Sequence, residues 1–154
     1  TDETGVGLVI FTADCVPLLF YDPIRRVIAA VHAGWRGTAA GIGGKAARMM
    51  QREFGCLPKN ILAAIGPSIG PCCFEVEADT ACQFDEKYCT PETGGKFLVD
   101  LWRVNRDQLL AEGMLPENVD VAEVCTMCSA DMFYSYRTHR EHTGRQGALI
   151  MLQN

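Results

Sequence analysis

No stretch of this chain is apolar for long enough to cross a bilayer as a helix, and its opening residues, Thr1-Asp2-Glu3-Thr4, carry neither the basic flank nor the apolar run of a signal peptide. Positive charge is also in short supply. With 14 Lys and Arg against 19 Asp and Glu, the net charge of −5 gives no basic field to hold polynucleotide phosphates or an anionic membrane. Nucleic acid and membrane are thereby excluded as expected partners, and individual arginines are left to grip a small anion. Internal repeats and low-complexity linkers are absent as well, which removes solenoids and tethered modules from consideration. The expected ligand is a small molecule.

What the sequence does contain is enough apolar material for a core: 48% of its 154 residues are hydrophobic, so residues 1–154 are expected to form one domain. The eight cysteines invite a disulfide reading, but disulfide scaffolds belong to short chains with poor cores. A soluble protein of the reducing cytoplasm is expected instead. The chain opens on Thr1 rather than Met, which predicts a start inside a longer parent chain.

Short apolar runs predict strands at Gly7–Phe11, Pro17–Tyr21 and Val27–Val31, the first two central in the sheet and the second closed by the turn signal Asp22-Pro23. Thr38 through Phe54 reads as a helix with Ala46, Ala47, Met50 and Phe54 on one side, stopped by Gly55. Ile61–Ile65 predicts a fourth strand, Glu77–Tyr88 a helix, and Leu101–Glu112 a helix capped by Asp100. Val119–Val124 and Ala148–Leu152 complete the strands, the latter after a polar loop over Arg137–Arg145. Strands and helices interleave, the pattern of a layered α/β domain, in which reactive groups sit on loops beyond strand ends.

Cys15 and His32 fall in such positions. A thiolate and an imidazole released at neighbouring strand ends suit a zinc ion or a cysteine nucleophile. The loop His32-Ala33-Gly34-Trp35-Arg36-Gly37 then leads into a helix, so Gly34, Gly37 and Arg36 are expected to cradle an anion at its start, with Trp35 packing in the core or stacking on a planar ring. Asp14 beside Cys15 argues against a purely apolar site. Arg137, Arg140 and Arg145, with His139 and His142, form a cationic loop, either a solvated face or a second anion contact. Cys125-Thr126-Met127-Cys128 has the spacing of half a zinc site, but Cys72 and Cys73 are adjacent rather than separated by two residues. A separate structural zinc is therefore not expected, and Cys72 and Cys73 are expected to pack beside the glycine loop.

Four segments carry a resemblance: Thr12-Ala13-Asp14-Cys15-Val16-Pro17, Val31-His32-Ala33-Gly34-Trp35-Arg36-Gly37, Ile65-Gly66-Pro67-Ser68-Ile69-Gly70-Pro71-Cys72-Cys73-Phe74-Glu75-Val76, and Tyr134-Ser135-Tyr136-Arg137 followed by Thr143-Gly144-Arg145. In this order they resemble the YfiH, or laccase-domain, family, formerly called multicopper polyphenol oxidases and now regarded as zinc-dependent purine nucleoside phosphorylases. The resemblance runs from Leu8 to Leu152. It implies a layered mixed β-sheet with flanking helices, similar to the catalytic domain of cytotoxic necrotizing factors. It also implies phosphorolysis of adenosine, inosine and methylthioadenosine, with adenosine deamination, at a zinc held by two histidines and a cysteine. Of these ligands the chain carries Cys15 and His32. The family's first zinc histidine lies in a Val-His-Gly motif that this sequence does not contain, so the N-terminal part of the family domain is expected to be missing. His139 or His142 could substitute as a ligand, though the resemblance gives no reason to expect it.

From the resemblance, Arg36 and the Gly34–Thr38 backbone are expected to place phosphate, with Arg137 and Arg145 as further contacts and Asp14 orienting a ligand or moving a proton. Three other readings stand beside it. Cys15 and His32 would make a metal-free Cys–His hydrolase or deamidase. Copper would restore the older laccase assignment, for which three histidines are few. An apolar edge left by a missing segment would make the chain a binding module that self-associates or takes a partner.

Overall fold

The computed structural model describes residues 1–154. The first three apolar runs form β1 (Gly7–Thr12), β2 (Val16–Asp22) and β3 (Val27–Ala33). β2 and β3 are an antiparallel hairpin with Val16 opposite Ala33 and Asp22 opposite Val27. Asp22 sets the turn, because its buried carboxylate accepts from the backbone N–H groups of Ile24 and Arg25 at 2.8 and 3.0 Å. After β3 the chain enters α1 (Trp35–Ala39) and α2 (Ile42–Phe54). The single helix expected from Thr38 is thus two, since Gly41 takes a left-handed conformation (φ 70°) that no helix interior accommodates. Gly55 ends α2 as expected.

β4 (Leu62–Ile65) follows, then β5 (Glu75–Val76), the single turn α3 (Ala78–Ala81), β6 (Cys89–Pro91), β7 (Phe97–Val99), α4 (Leu101–Ala111), β8 (Val119–Val121), α5 (Tyr136–His139) and β9 (Gln146–Met151). The helix expected over Glu77–Tyr88 is confined to α3 and a turn of 3-10 helix at Glu86–Tyr88. Asp85 is the reason: its side chain accepts from the backbone N–H of Lys87 at 3.1 Å and starts a new local turn instead of continuing the helix. Asp100 caps α4 as expected, accepting from the N–H of Arg103 at 2.9 Å.

The principal sheet has the order β3-β2-β4-β8, antiparallel except for the parallel pair β4–β8. β2 is central: Val16, Leu18 and Phe20 on one face are fully buried, while Leu19 and Tyr21 on the other are half-buried. The three fully buried side chains join Ile65, Met50, Leu101 and Leu109 in one core beneath α2 and α4. β5, β7 and β6 form a small antiparallel sheet of their own. β1 is not central. It pairs only with β9, in an antiparallel ribbon beside β2 and β3. No helix is long and apolar enough to cross a membrane.

Candidate active site

Because β2 and β3 run antiparallel, the residue before β2 and the penultimate residue of β3 emerge at the same end of the sheet. These are Cys15 and His32. His32 is therefore inside β3 rather than at the head of the following loop, and its side chain is exposed. A Cβ added to Gly34 would sit 3.3 Å from Cys15 Sγ and 3.9 Å from His32 Nε2, so both donor atoms border one point that the glycine leaves open. Burial pushes the Cys15 thiol up from its ordinary value, the adjacent Asp14 carboxylate adds to this, and the Arg145 guanidinium opposes it.

Asp14 is buried and adopts φ 80°, a left-handed conformation that aspartate tolerates better than most residues. Its carboxylate is fully engaged. Thr126 Oγ1 donates to Oδ1 at 2.7 Å, the backbone N–H of Arg137 donates to Oδ2 at 2.8 Å, and the N–H of Ile69 donates to the Asp14 carbonyl at 2.9 Å. One residue thus ties the turn bearing Cys15 to the loops after β4 and β8 and to the start of α5.

These loops border an open cavity of about 410 Å³, within the range of small-molecule sites. Asp14, Cys15 and His32 line one part, Trp35, Ile69, Phe74, Leu101 and Tyr136 form an apolar and aromatic wall, and Arg137 and Arg145 supply positive charge. Arg137 packs its guanidinium 5.4 Å from the centre of the Phe74 ring. The cationic loop therefore faces the cavity rather than forming a merely solvated surface.

Other expected members lie elsewhere. Arg36 stacks on Trp35, 4.1 Å from the ring centre, and lines a neighbouring depression with Asp79, Thr80 and Gln83. Gly37 is not in the cavity wall; a Cβ there would meet Ile42 Cγ2 at 3.4 Å, so its smallness serves the packing of α1 on α2. Arg36 and Gly37 thus lie outside the cavity that Arg137 and Arg145 line. His139 and His142 line a separate depression with Tyr134 and Asp131, and His139 Nδ1 lies 3.0 Å from the Ser135 carbonyl oxygen. Neither substitutes as a ligand beside Cys15. Phe74 and Tyr136 had no expected role. Their only sequence signal was membership of the segments that carry the family resemblance, Cys73-Phe74-Glu75-Val76 and Tyr134-Ser135-Tyr136-Arg137.

Cys15 and His32 suit zinc in kind, being thiolate and imidazole. They fall short in number, since no third His, Cys, Asp or Glu side chain gathers with them, whereas a catalytic zinc takes three protein ligands. Cys72 and Cys73 lie beside the glycine loop as expected, and they have partners there that the spacing did not suggest. Cys72, Cys73, Cys125 and Cys128 come together, all four sulfurs within 4.8 Å of one another. Adjacency of Cys72 and Cys73 does not prevent this, because the tight turn at 71–73 presents both thiols to the same side.

The family model described as multi-copper polyphenol oxidoreductase laccase matches residues 1–153. The chain belongs to this family. The purine nucleoside phosphorylase YlmD of Geobacillus stearothermophilus is 40% identical over 158 residues, covering 97% of this chain and 57% of that protein. A purine nucleoside phosphorylase of Bacteroides thetaiotaomicron is 41% identical over 159 residues, covering 99% and 59%. Among solved structures, the hypothetical protein YfiH of Bacillus licheniformis superposes with a TM-score of 0.94 at 35% identity, over 99% of this chain and 60% of that one. The chain thus spans less than two thirds of the length of these laccase-domain relatives, and shares their mixed α/β architecture over that length.

Proposed function

We propose that this laccase-domain protein is a purine nucleoside phosphorylase acting on inosine, adenosine and methylthioadenosine. The observation that carries the reading is the shared cavity: an aromatic wall for a planar base, two arginines for phosphate, and a Cys–His pair at one border. In the reaction, an oxygen of phosphate forms a bond to the ribose C1′ as the C1′–N9 bond breaks. The bonding pair leaves on the purine, which takes up a proton. Trp35, Phe74 and Tyr136 hold the base against the apolar wall. Arg137 and Arg145 hold the phosphate and oppose the mutual repulsion of its charges as it approaches the sugar. Asp14, each of whose carboxylate oxygens accepts a hydrogen bond, positions Cys15 and Arg137. Cys15 and His32 are the two ligands this chain would give to zinc, which would supply Lewis acidity for phosphorolysis and for adenosine deamination.

One observation weighs against the copper reading. A multicopper site needs several histidines, and of three only His32 lines the cavity. The test is direct: full-length, zinc-supplemented protein incubated with inosine and phosphate should release hypoxanthine and ribose 1-phosphate, and Cys15→Ser or His32→Ala should lower the rate by roughly 100-fold or more. Absence of release from several purine nucleosides would end the proposal. Iodoacetamide separates the nucleophile reading, because zinc protects a ligand cysteine and leaves a nucleophile reactive.

A further inference from the structure

Four thiols that do not line the cavity are gathered on its outer side. Cys72 and Cys73 lie in the tight turn after β4, and Cys125 and Cys128 in the loop after β8. Cys128 Sγ is 3.6 Å from Cys72 Sγ and 3.4 Å from Cys73 Sγ, and no pair among the four sulfurs exceeds 4.8 Å. Four thiolates around one tetrahedral ion with metal–sulfur bonds of about 2.3 Å stand about 3.8 Å apart. The spacing is that of ligands around a single ion.

The surroundings are built in the same sense. The two loops are locked together by backbone bonds, from Ser68 N–H to the Val124 carbonyl at 3.2 Å and from Thr126 N–H to the Ser68 carbonyl at 3.0 Å. The N–H of Gly70 donates to Cys125 Sγ at 3.2 Å, the type of bond that stabilises a sulfur carrying negative charge. A Cβ at Gly70 would lie 2.7 Å from Trp102 and 3.2 Å from Cys125 Cβ, so the approach of this N–H to sulfur depends on glycine. Cys125 is buried while Cys72 and Cys128 are exposed, which gives an ion a way in from solvent. A tetrahedral all-sulfur donor set selects zinc among the common cellular divalent ions.

We propose that Cys72, Cys73, Cys125 and Cys128 form a structural zinc site, separate from Cys15 and His32, that fastens the loop after β4 to the loop after β8. Its position gives it a purpose. Phe74, next to Cys73, forms part of the cavity wall, and Thr126, next to Cys125, holds the Asp14 carboxylate. The clamp fixes the wall from behind without touching what the cavity holds. The inference does not depend on the phosphorylase reading.

The test uses the reduced, metal-free protein titrated with zinc and with cobalt. Cobalt should produce the intense visible and thiolate-to-metal charge-transfer bands of a tetrahedral all-sulfur site, their full intensity corresponding to one ion in that site, in wild type and in Cys15→Ser alike. Zinc should displace it and raise the thermal midpoint by about 10 °C when in large excess over its dissociation constant. Cys128→Ser should lose the all-sulfur spectrum, while Cys82→Ser, at an exposed cysteine outside the cluster, should keep it. Wild-type protein offers a second readout that needs no variant to fold: zinc should shield Cys72, Cys73, Cys125 and Cys128 from alkylation together, leaving Cys82 reactive. Failure to bind cobalt through sulfur, or a Cys73–Cys128 disulfide in protein that takes up no zinc after reduction, would overturn the proposal.

Discussion

Asp14 contributes most per residue to the geometry of the cavity, because its carboxylate and carbonyl hold three segments that are distant in sequence. Asp14→Asn keeps the shape and the left-handed backbone but replaces one acceptor by a donor that faces either Thr126 or the N–H of Arg137. The expected loss is about 2–3 kcal/mol, the worth of a buried hydrogen bond to a charged group, measurable by urea denaturation. A second residue-scale effect concerns alkaline pH. Cys56 is fully buried in the core, and burial, with Asp22 adding, pushes its thiol up to about 11. A group whose pKa is higher in the folded protein than in the unfolded chain contributes stability that is complete below the unfolded value and is lost as pH rises through the folded one. Stability should therefore fall from about pH 9 toward 11, and Cys56→Ala should lessen that slope, to which the raised thiols of Cys15, Cys72 and Cys89 also contribute. At this scale the sequence disclosed Cys15 and His32, because strand ends and polar reactive residues coincide there. It could not place Arg36: an arginine in a first helical turn reads as facing the same site as Cys15 and His32, and only the assembled molecule lays its guanidinium on Trp35, outside the cavity.

α2 presents Gly43 and Gly44 to its neighbours, and the two glycines make opposite predictions. A Cβ at Gly43 would lie 2.9 Å from Leu18 Cδ1 and 3.4 Å from Leu109 Cδ2, both on fully buried core side chains. Gly43→Ala should destabilise by about 1–2 kcal/mol, overpacking outweighing the gain of about 1 kcal/mol in helix propensity. At Gly44 the obstacle is Glu112 Oε1 at 2.9 Å, the end of a flexible side chain that can swing away. Gly44→Ala should be neutral or stabilising by about 0.5 kcal/mol, and thermal unfolding of the pair decides the matter. Strands β2 and β3, the end of α2 at Gly55 and the cap of α4 at Asp100 were all readable from local chemistry. The small β5-β7-β6 sheet was not, since strands of two or three residues carry no periodicity and Asp85 interrupts a run that otherwise reads as helical.

Across the whole molecule, the β1–β9 ribbon leaves one face open. Val9 stands opposite Leu149 and Gly7 opposite Met151, and Val9, Phe11, Leu149 and Met151 are all exposed. So large an apolar strip should bind a hydrophobic dye such as ANS and drive self-association at high concentration, and Phe11→Ser with Leu149→Ser should reduce both in fluorescence and size-exclusion experiments. The sequence marked β1 and β9 as apolar but not as a ribbon apart from the main sheet, because an apolar run looks the same whether its second face is covered or bare. The cavity likewise exists only in the assembled molecule, where residues from 13 to 145 meet, and its cations come from a loop that composition alone would assign to solvent. Phosphorolysis measured at saturating inosine with varied phosphate tests this assembly most directly. Arg137→Ala and Arg145→Ala should each raise the KM for phosphate about tenfold while Arg36→Ala leaves it unchanged; a phosphate KM that responds to Arg36 and ignores Arg137 and Arg145 would contradict the account.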